Sequence, residues 1–488
     1  MARPDPEDWD QDGVVSAPAQ SRGAGEHEGL ARALARRTVD FGWDQLPDSA
    51  RHWAKVGILD TVGVTLAGSR EDATRLVAGA LDVRAGPSVL FGEVKRAGAL
   101  DAALVNGTAS HALDFDDCNN TLGGHPSVPV LSALFPLADE LGSSGRDFVV
   151  AYVAGFEVEC KLALAVNFHH YTKGWHPTAT LGVFGAAAAC ARLMHLDEAK
   201  TAVALALAAS FASGIKSNFG TMAKPLHVGH SARNGLFAAR LARDGFTANA
   251  QDVFEHEQGF LEVFNGPGTY DAARALASWA APLDIVHPGI AIKQYPCCGS
   301  THPAIDALLE VLERRRIEAD DVVRLDACIH ERRLRHTDRP QPRSALDAKF
   351  SLQYVLARAL VDGRVGVADF EGESYRDERV QAVLPRIHVA PYDEMQFGAA
   401  NHFGGSVRLT LRDGSVETAK VEQALGRTSA NPLPRERLHR KFALCAASVL
   451  HDDAIADISA LIDSIEAIAD MRTLTDRIMH GTIEGRAN

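Results

Sequence analysis

The chain has 488 residues, of which 46% are hydrophobic and 23% are charged, a composition ordinary for a globular protein with a large core. Its 63 acidic and 50 basic residues give a formal charge of −13, which argues against nucleic-acid binding, because Lys and Arg supply that affinity. The charge does not exclude a small anionic substrate, since a pocket can hold a local cluster of Lys and His.

The seven cysteines are odd in number and form no CxxC pair, which predicts a reducing compartment rather than a disulfide scaffold. The first residues, MARPDPEDWDQD, are acidic, which is not typical of a secretory signal or a transit peptide. The longest apolar stretch, residues 201–215, is shorter than the ~20 residues that span a bilayer. We therefore expect a cytoplasmic protein with neither a membrane nor a nucleic-acid partner.

Residues 1–28 hold seven acidic and two basic side chains among Gly, Pro and Ser. So little apolar surface predicts a disordered leader. From Leu30 onward, apolar residues recur with the helical period, as in LARALARRTVDF and DSARHWAKVGILDTVGVTLAG. Ala-rich, sparsely charged segments such as VVAYVAGFEVECKLALAV are typical of helices buried on most sides. We predict a large helical domain over residues 29–288.

The pattern changes after residue 288. AIDALLEVLERRR predicts a helix, whereas VVRLDACIHER, RIHVAPYDE and GGSVRLTLRDGSVETAKVEQ predict strands, the last with a hairpin turn at Arg412–Ser415. Between them, SALDAKFSLQYVLARALVDG predicts one helix. This mixture predicts a smaller α+β domain over residues 289–424. Helical residues 425–488 would return to the first domain, so the predicted fold class is mainly α with a smaller α+β domain.

The familiar nucleotide, zinc and serine-hydrolase motifs are absent from the sequence, which leaves acid–base chemistry. The first candidate segment is HALDFDDC followed by GGHP. If it is helical at the start, His111, Asp114 and Cys118 share one face. Its carboxylates could orient a His or a substrate or bind a divalent ion; a solvated helix end is the alternative. His125, on a loop between glycines and a proline, is easier to explain as a site residue than as core.

Two other segments place a cationic or basic side chain beside a buried helix. In KGWHP, His176 starts a helix whose dipole lowers the imidazole pKa, so a neutral base is one interpretation and a structural His the other. In NFGTMAKPLH, the following proline predicts extended backbone for Lys224 between two helices. Its ammonium group could hold a carboxylate; a solvated surface lysine is the alternative.

The segment KQYPCCGSTH combines Lys293, Cys298 and His302 at the junction of the two predicted domains, where pockets are frequent. Coincidence is the alternative. In KFSLQY, Tyr354 lies on an apolar helix, where a core position competes with a site role.

Taken in order, HALDFDD, HPS, GWHPTA, GTMAKPLHVGHSARNG, KQYPCCGSTHP and FSLQYVLA resemble the MmgE/PrpD family from about residue 30 to the end of the chain. That family includes 2-methylcitrate dehydratase, cis-aconitate decarboxylase and iminodisuccinate epimerase. The resemblance implies a large helical domain, a smaller α+β lid domain and a homodimer. It also implies an active site between the domains that needs neither a metal nor another cofactor.

The resemblance to the decarboxylases of this family implies a set of pocket positions: Asp114, His125, His176, Lys224, Lys293 and Tyr354. Cys118 and Cys298 stand where the animal decarboxylase pattern has Thr and His, whereas the Tyr-x-Cys-Cys-Gly segment is similar to the fungal one. On this basis His176 would transfer a proton, with Asp114 orienting or partnering His125. Tyr354 would bind substrate or donate a proton. The substrate-binding set would be Lys224, Lys293, Cys118, Cys298 and His302.

Lysines and histidines together suit a small polycarboxylate. The family's reactions share a carbanion or enolate next to a carboxylate, which such donors would stabilise. We therefore predict a lyase that acts on a small di- or tricarboxylate, of the decarboxylase or dehydratase kind. An epimerase of an amino- or imino-dicarboxylate and a non-catalytic carboxylate-binding protein are the alternatives.

Overall fold

The computed structural model describes residues 28–393, 397–398 and 401–483, so the predicted leader lies outside the described residues except for its last position. The α-helices up to residue 265 are α1 (Leu30–Asp40), α2 (Asp48–Gly68), α3 (Asp72–Leu81), α4 (Ala99–Ala112), α5 (Ser127–Leu141), α6 (Gly145–Val166), α7 (His169–Lys173), α8 (Pro177–Thr180), α9 (Gly182–Leu193), α10 (Glu198–Phe211), α11 (Ala223–Arg243) and α12 (Phe260–Asn265). Those after it are α13 (His302–Arg314), α14 (Glu331–Thr337), α15 (Ala345–Lys349), α16 (Leu352–Asp362), α17 (Glu378–Val383), α18 (Arg435–Ala446), α19 (Asp452–Asp463) and α20 (Arg472–His480).

The larger hydrophobic core lies among helices from both ends of the chain, with α18 packed on α2 and α20 on α5. Small residues let these helices approach closely. A Cβ atom on Gly155 of α6 would lie 2.4 Å from the carbonyl oxygen of Gly185 on α9, so only glycine permits this spacing. Side-chain caps start two of the helices in this larger core: Ser144 accepts a hydrogen bond from the Asp147 amide, and Asp197 from the Lys200 amide.

A second hydrophobic core is built from residues between Tyr295 and Ala419. Its sheet consists of β3 (Val322–Ile329), β4 (Ile387–Pro391), β5 (Gly405–Leu411) and β6 (Val416–Val421), in the order β4-β3-β5-β6. β4 runs parallel to β3, and the other neighbours are antiparallel. The predicted turn joins β5 to β6, with Gly414 at a φ of +82°. The helices α13 and α16 pack against this sheet, which confirms a mainly α fold with a smaller α+β part.

Three local predictions are wrong. The stretch before residue 289 is not helical throughout, because β1 (Ala85–Val89) and β2 (Arg96–Ala97) form a small antiparallel sheet. The predicted helix over residues 344–363 is two helices, α15 and α16, because Ser351 caps the second by accepting a hydrogen bond from the Tyr354 amide at 3.0 Å. Lys224 is helical rather than extended, since Pro225 lies in the first turn of α11, where no intrahelical N–H is required.

Within the described ranges, no helix is both long enough and apolar enough to cross a membrane.

Candidate active site

The site is centred on the loop that follows α4. That helix ends at Ala112, so the predicted shared face of His111, Asp114 and Cys118 is wrong. Asp114 has a φ of +52°, in the left-handed region that aspartate enters more readily than most residues. The turn at Asp114 orients its carboxylate differently from the way a continuing helix would.

Three buried lysines hold this loop by its backbone. Their ammonium groups donate to three successive carbonyl oxygens: Lys349 to Leu113 at 3.0 Å, Lys293 to Asp114 at 2.6 Å and Lys441 to Phe115 at 2.8 Å. We call Lys293, Lys349 and Lys441 the lysine clamp. They come from three distant parts of the chain, so the loop position depends on the assembled fold.

The Asp114 carboxylate lies between two ammonium groups. Its Oδ1 is 2.7 Å from Lys224 Nζ and 3.2 Å from Lys293 Nζ. Although burial opposes ionisation, these two cations hold the pKa of Asp114 well below its usual range. Asp114 also contributes to a raised pKa of Lys293, against the effect of burial. The Asp114 carboxylate is therefore ionised, and the Lys293 ammonium group is charged.

Asp116 bridges two histidines. Its Oδ2 is 2.8 Å from His111 Nδ1 and 3.0 Å from His125 Nδ1, whereas His125 Nε2 is 3.6 Å from Asp114 Oδ1. The nearest partner of His125 is thus Asp116 rather than the predicted Asp114. Burial lowers both imidazole pKa values, but Asp116 and Cys118 raise that of His125 to about 10, while that of His111 is lowered to about 4. His125 is a cation at neutral pH and His111 is neutral.

His176 precedes α8 and is buried against this pair. Its ring stacks on that of His111 with centroids 5.6 Å apart, and its Nδ1 lies 3.3 Å from His227 Nδ1. Burial lowers its pKa well below the usual value, with further lowering from His111 and Lys224. The sequence predicted this direction from the helix dipole, but burial is the main cause. Its Nε2 makes no hydrogen bond with a described residue, so a substrate atom could meet it there.

We call the following set the carboxylate–imidazole cluster: His111, Asp114, Asp116, His125, His176, Lys224 and Lys293. Two ammonium groups and one imidazolium oppose two carboxylates, which leaves one net positive charge in a buried site. Such a site can bind an anion, can present fixed cations to a developing negative charge, and can hold a neutral imidazole for proton transfer.

Among the described residues, His111, Asp114, Asp116 and His125 offer ligand atoms within 4.8 Å of one another, close enough for a metal ion. Their surroundings do not favour a cation, because Lys224 and Lys293 already neutralise Asp114 and because the Asp116 oxygen is shared by two imidazoles. The donor set fits an anion better.

The remaining predicted substrate-binding residues lie at different places around the cluster. Cys118 Sγ is 3.8 Å from His125 Nδ1, and although burial opposes ionisation, His125, Lys293 and Arg427 lower the thiol pKa to about 7. Cys298 Sγ lies 3.6 Å from His336 Nε2. His302 is buried at the start of α13, where Nε2 is 3.3 Å from the Cys297 carbonyl oxygen. Burial lowers its pKa to about 3, so it is a neutral donor.

The structure does not bring the Tyr354 hydroxyl into hydrogen-bond contact with the carboxylate–imidazole cluster. Tyr354 is fully buried in the smaller core, where it donates to the Asp369 carbonyl oxygen at 2.5 Å and accepts from Arg358 Nε at 3.0 Å. This placement corresponds to the core position that the apolar helix allowed.

Three residues of the site were not predicted from the sequence: Asp116, Lys349 and Lys441. One signal was available for Lys441, which lies on the apolar stripe of α18 with Leu438, Phe442 and Cys445 at helical spacing. A lysine on a buried stripe needs a partner, and here it has Asp60 Oδ1 at 2.6 Å.

Comparison with known proteins gives two family matches and several relatives. Residues 32–273 match the MmgE/PrpD N-terminal domain, and residues 295–466 match the MmgE/PrpD C-terminal domain. Human cis-aconitate decarboxylase is 32% identical over 384 residues, covering 77% of this chain and 78% of the relative. Cis-aconitate decarboxylase of Aspergillus terreus is 27% identical over 479 residues, covering 94% and 97%. The 2-methylcitrate dehydratase of Salmonella typhimurium is 25% identical and covers 46% of this chain and 48% of its own. The two matched regions contain the whole carboxylate–imidazole cluster except Lys293, and the chain belongs to the MmgE/PrpD family.

Proposed function

We propose that the protein is a lyase that decarboxylates a small tricarboxylate, with cis-aconitate as the first candidate. The observation that carries this proposal is the buried cluster in which a neutral His176 lies beside a charged His125 and two lysines. The cis-aconitate decarboxylases are 26–32% identical to this chain, whereas the 2-methylcitrate dehydratases are 22–25% identical, which supports this choice over a dehydratase.

In this proposal the substrate carboxylates bind to Lys224, Lys293 and the Nε2–H of His125. Each lysine shares its charge with Asp114, so a substrate carboxylate replaces part of that contact rather than binding to a free cation. The cations are held before substrate arrives, so little reorganisation is needed when charge develops.

The chemical step breaks the carbon–carbon bond to one carboxylate. CO₂ leaves, and the electron pair stays on the substrate as an allylic carbanion delocalised towards a neighbouring carboxylate. His125 and the lysines stabilise that charge. A proton then adds to carbon, and the product is a five-carbon unsaturated dicarboxylate, so each turnover consumes one proton.

His176 is the proposed proton carrier. In the free protein, burial and nearby cations keep it neutral. A bound polyanion offsets the positive charge of Lys224 and His125, which raises the His176 pKa and lets the imidazole take up the proton that it then gives to the carbanion.

The test is incubation with cis-aconitate in D₂O, with CO₂ release and product followed by NMR. We expect one deuterium in each product molecule. Loss of water from 2-methylcitrate without CO₂ release would indicate a dehydratase, and exchange at the α-carbon of a diacid without net product would indicate an epimerase. Substrate binding without any turnover would contradict an enzymatic function.

A matched pair of histidine variants tests the role of His176. His176→Gln is expected to lower kcat by about 10²–10⁴-fold, the usual contribution of a positioned proton carrier. His52→Gln changes an exposed histidine on α2 and is expected to leave kcat unchanged. Equal rates in the two variants would remove His176 from the mechanism.

We also propose a homodimer, the assembly that the family resemblance implies. Light scattering of the purified protein is expected to give twice the mass of one chain, and a single-chain mass at micromolar concentration would contradict it.

A further inference from the structure

Two arginines from different segments share one aromatic ring beside the site. The guanidinium carbon of Arg333, on α14, lies 4.5 Å from the ring centre of Phe403, and that of Arg427, after β6, lies 5.0 Å from it. Within the described part of the chain, neither guanidinium has a carboxylate within ion-pair distance. This sets them apart from the buried Arg358, which pairs with Asp362 and Asp377.

The hydrogen-bond partners of the two arginines are neutral. Arg427 Nη2 donates to Asn120 Oδ1 at 3.0 Å, and its Nε is buried without a described partner. Arg333 donates from Nε to the His402 carbonyl oxygen at 2.5 Å and from Nη1 to Ser300 Oγ at 3.3 Å. Burial and then the charge of Arg427 lower the pKa of Arg333 to about 10, so the Arg333 guanidinium is still charged at neutral pH. Two neighbouring cations with no counter-charge among the described residues favour an anion beside them.

The pair adjoins the carboxylate–imidazole cluster through the two cysteines. Asn120, which holds Arg427, is two residues from Cys118, and the Arg427 charge contributes to the lowered pKa of that thiol, after His125 and Lys293. Ser300, which holds Arg333, is two residues from Cys298. The arginines therefore lie on the side of the carboxylate–imidazole cluster where both cysteines lie.

We propose that Arg333 and Arg427 form a second anion subsite, which binds the substrate carboxylate that Lys224 and Lys293 do not hold and so makes the site select tricarboxylates over dicarboxylates. This inference rests on the proposed function, since it assumes a polycarboxylate ligand. The planar fork of each guanidinium can donate two parallel hydrogen bonds to one carboxylate. Both guanidinium groups contact the Phe403 ring, which limits the distance between them.

The test is a calorimetric comparison of two non-reacting acids, tricarballylate and glutarate, which differ by the central carboxylate. The wild-type protein is expected to bind tricarballylate more tightly. Arg333→Gln and Arg427→Gln are each expected to reduce that preference by about tenfold or more, the value of a charge-assisted hydrogen bond, while the glutarate affinity changes less than about twofold. Arg332→Gln, the exposed neighbour on α14, is the matched control and should keep the full preference.

Conservative variants keep the subsite testable if the glutamine variants do not fold. Arg333→Lys and Arg427→Lys keep the charge but not the fork, and an intermediate preference is expected. An unchanged preference in both glutamine variants, or in both lysine variants if the glutamine variants do not fold, would overturn the second subsite while leaving the proposed function intact. If the wild-type protein binds neither acid, the polycarboxylate function is wrong and the subsite fails with it.

Discussion

One carboxylate contacts two neighbouring histidines that differ in charge state. Asp116 contacts both His111 and His125, yet His125 also faces Cys118, whereas His111 is enclosed and faces the Lys224 charge. The pKa values of the two imidazoles are pushed apart, as in enzymes that divide acid and base roles between like residues. The charge states of His111 and His125 thus depend in part on Asp116, a residue that need not touch substrate.

The proposed proton uptake by His176 would make ligand affinity depend on pH. Binding of an anion raises a pKa that is well below 6.5 in the free protein, so the protonated form is favoured in the complex. Between the two pKa values, affinity must fall as pH rises. We expect tricarballylate to bind more weakly at pH 8.5 than at pH 7, by calorimetry.

Two variants distinguish the contributions of His176 and Cys118 to the pH dependence between pH 7 and pH 8.5. His176→Gln should lose most of this dependence. Cys118→Ser removes the thiol whose pKa is about 7 and should retain the part due to His176. A pH dependence that survives in His176→Gln but not in Cys118→Ser would assign the effect to the thiol instead.

Asp116→Asn tests the charge of His125. Without its nearest carboxylate, the pKa of His125 should fall from about 10 towards the value that burial favours, and the imidazolium is then lost as pH rises. We expect kcat/KM for cis-aconitate to fall by at least about tenfold more at pH 9 than at pH 6, given the worth of one charged hydrogen bond. Asp48→Asn, at a 97% exposed side chain, is the control. Equal losses at both pH values would mean that Asp116 acts only through packing.

The sequence singles out candidate site residues where the local context is unusual. His125 among glycines and a proline, and His176 before a proline, stand out because core or surface histidines seldom need such backbone. It could not single out Asp116, because the carboxylates of Asp114, Asp116 and Asp117 are equivalent until the chain turns at Asp114. The turn depends on lysines that are remote in sequence.

At the scale of elements, the lysine clamp ties the loop after α4 to two helices outside its own part of the chain. Lys349 ends α15 in the smaller core, and Lys441 lies on α18 at the C-terminal side. Each ammonium group is buried and satisfied by a carbonyl oxygen of the loop. Removal of Lys349 or Lys441 therefore leaves a loop carbonyl group without its hydrogen bond and also weakens the contact between the loop and a helix.

Lys441→Met is expected to lower the free energy of unfolding by about 3–5 kcal/mol, because buried Asp60 loses its counter-charge. Urea denaturation measures this loss. The double variant Lys441→Met with Asp60→Asn should recover part of it, since the unpaired buried charge is gone. Lys95→Met, at a 68% exposed side chain, is the control. A loss below about 1 kcal/mol, the range of a surface ion pair, would contradict a buried pair.

The elements were predictable where periodicity was long and unbroken, as in α2, which spans the predicted residues 48–68. Breaks were not predictable where one side chain decides them. Nothing in the pattern of SALDAKFSLQYVLARALVDG distinguishes one helix from two, because the Ser351 cap is visible only once the backbone has turned.

At the scale of the whole molecule, a chain with charge −13 encloses a positive site. Screening acts over about 10 Å at 0.1 M salt, so the local cations should dominate over distant surface charge. We expect the KM for a tricarboxylate to rise several-fold between about 0.05 and 0.5 M NaCl, with little change in kcat. A KM that falls with salt would mean that repulsion by the overall charge controls binding.

Because the amines of the lysine clamp are buried and hydrogen-bonded, their chemical reactivity reports motion of the loop after α4. Amine-reactive reagents can modify Lys293, Lys349 and Lys441 only when the loop carbonyls release them. Mass spectrometry after brief labelling would thus report how often the loop separates from the three lysines. Labelling of all three lysines at one common rate would identify a single opening event that separates the loop from α15 and α18 together.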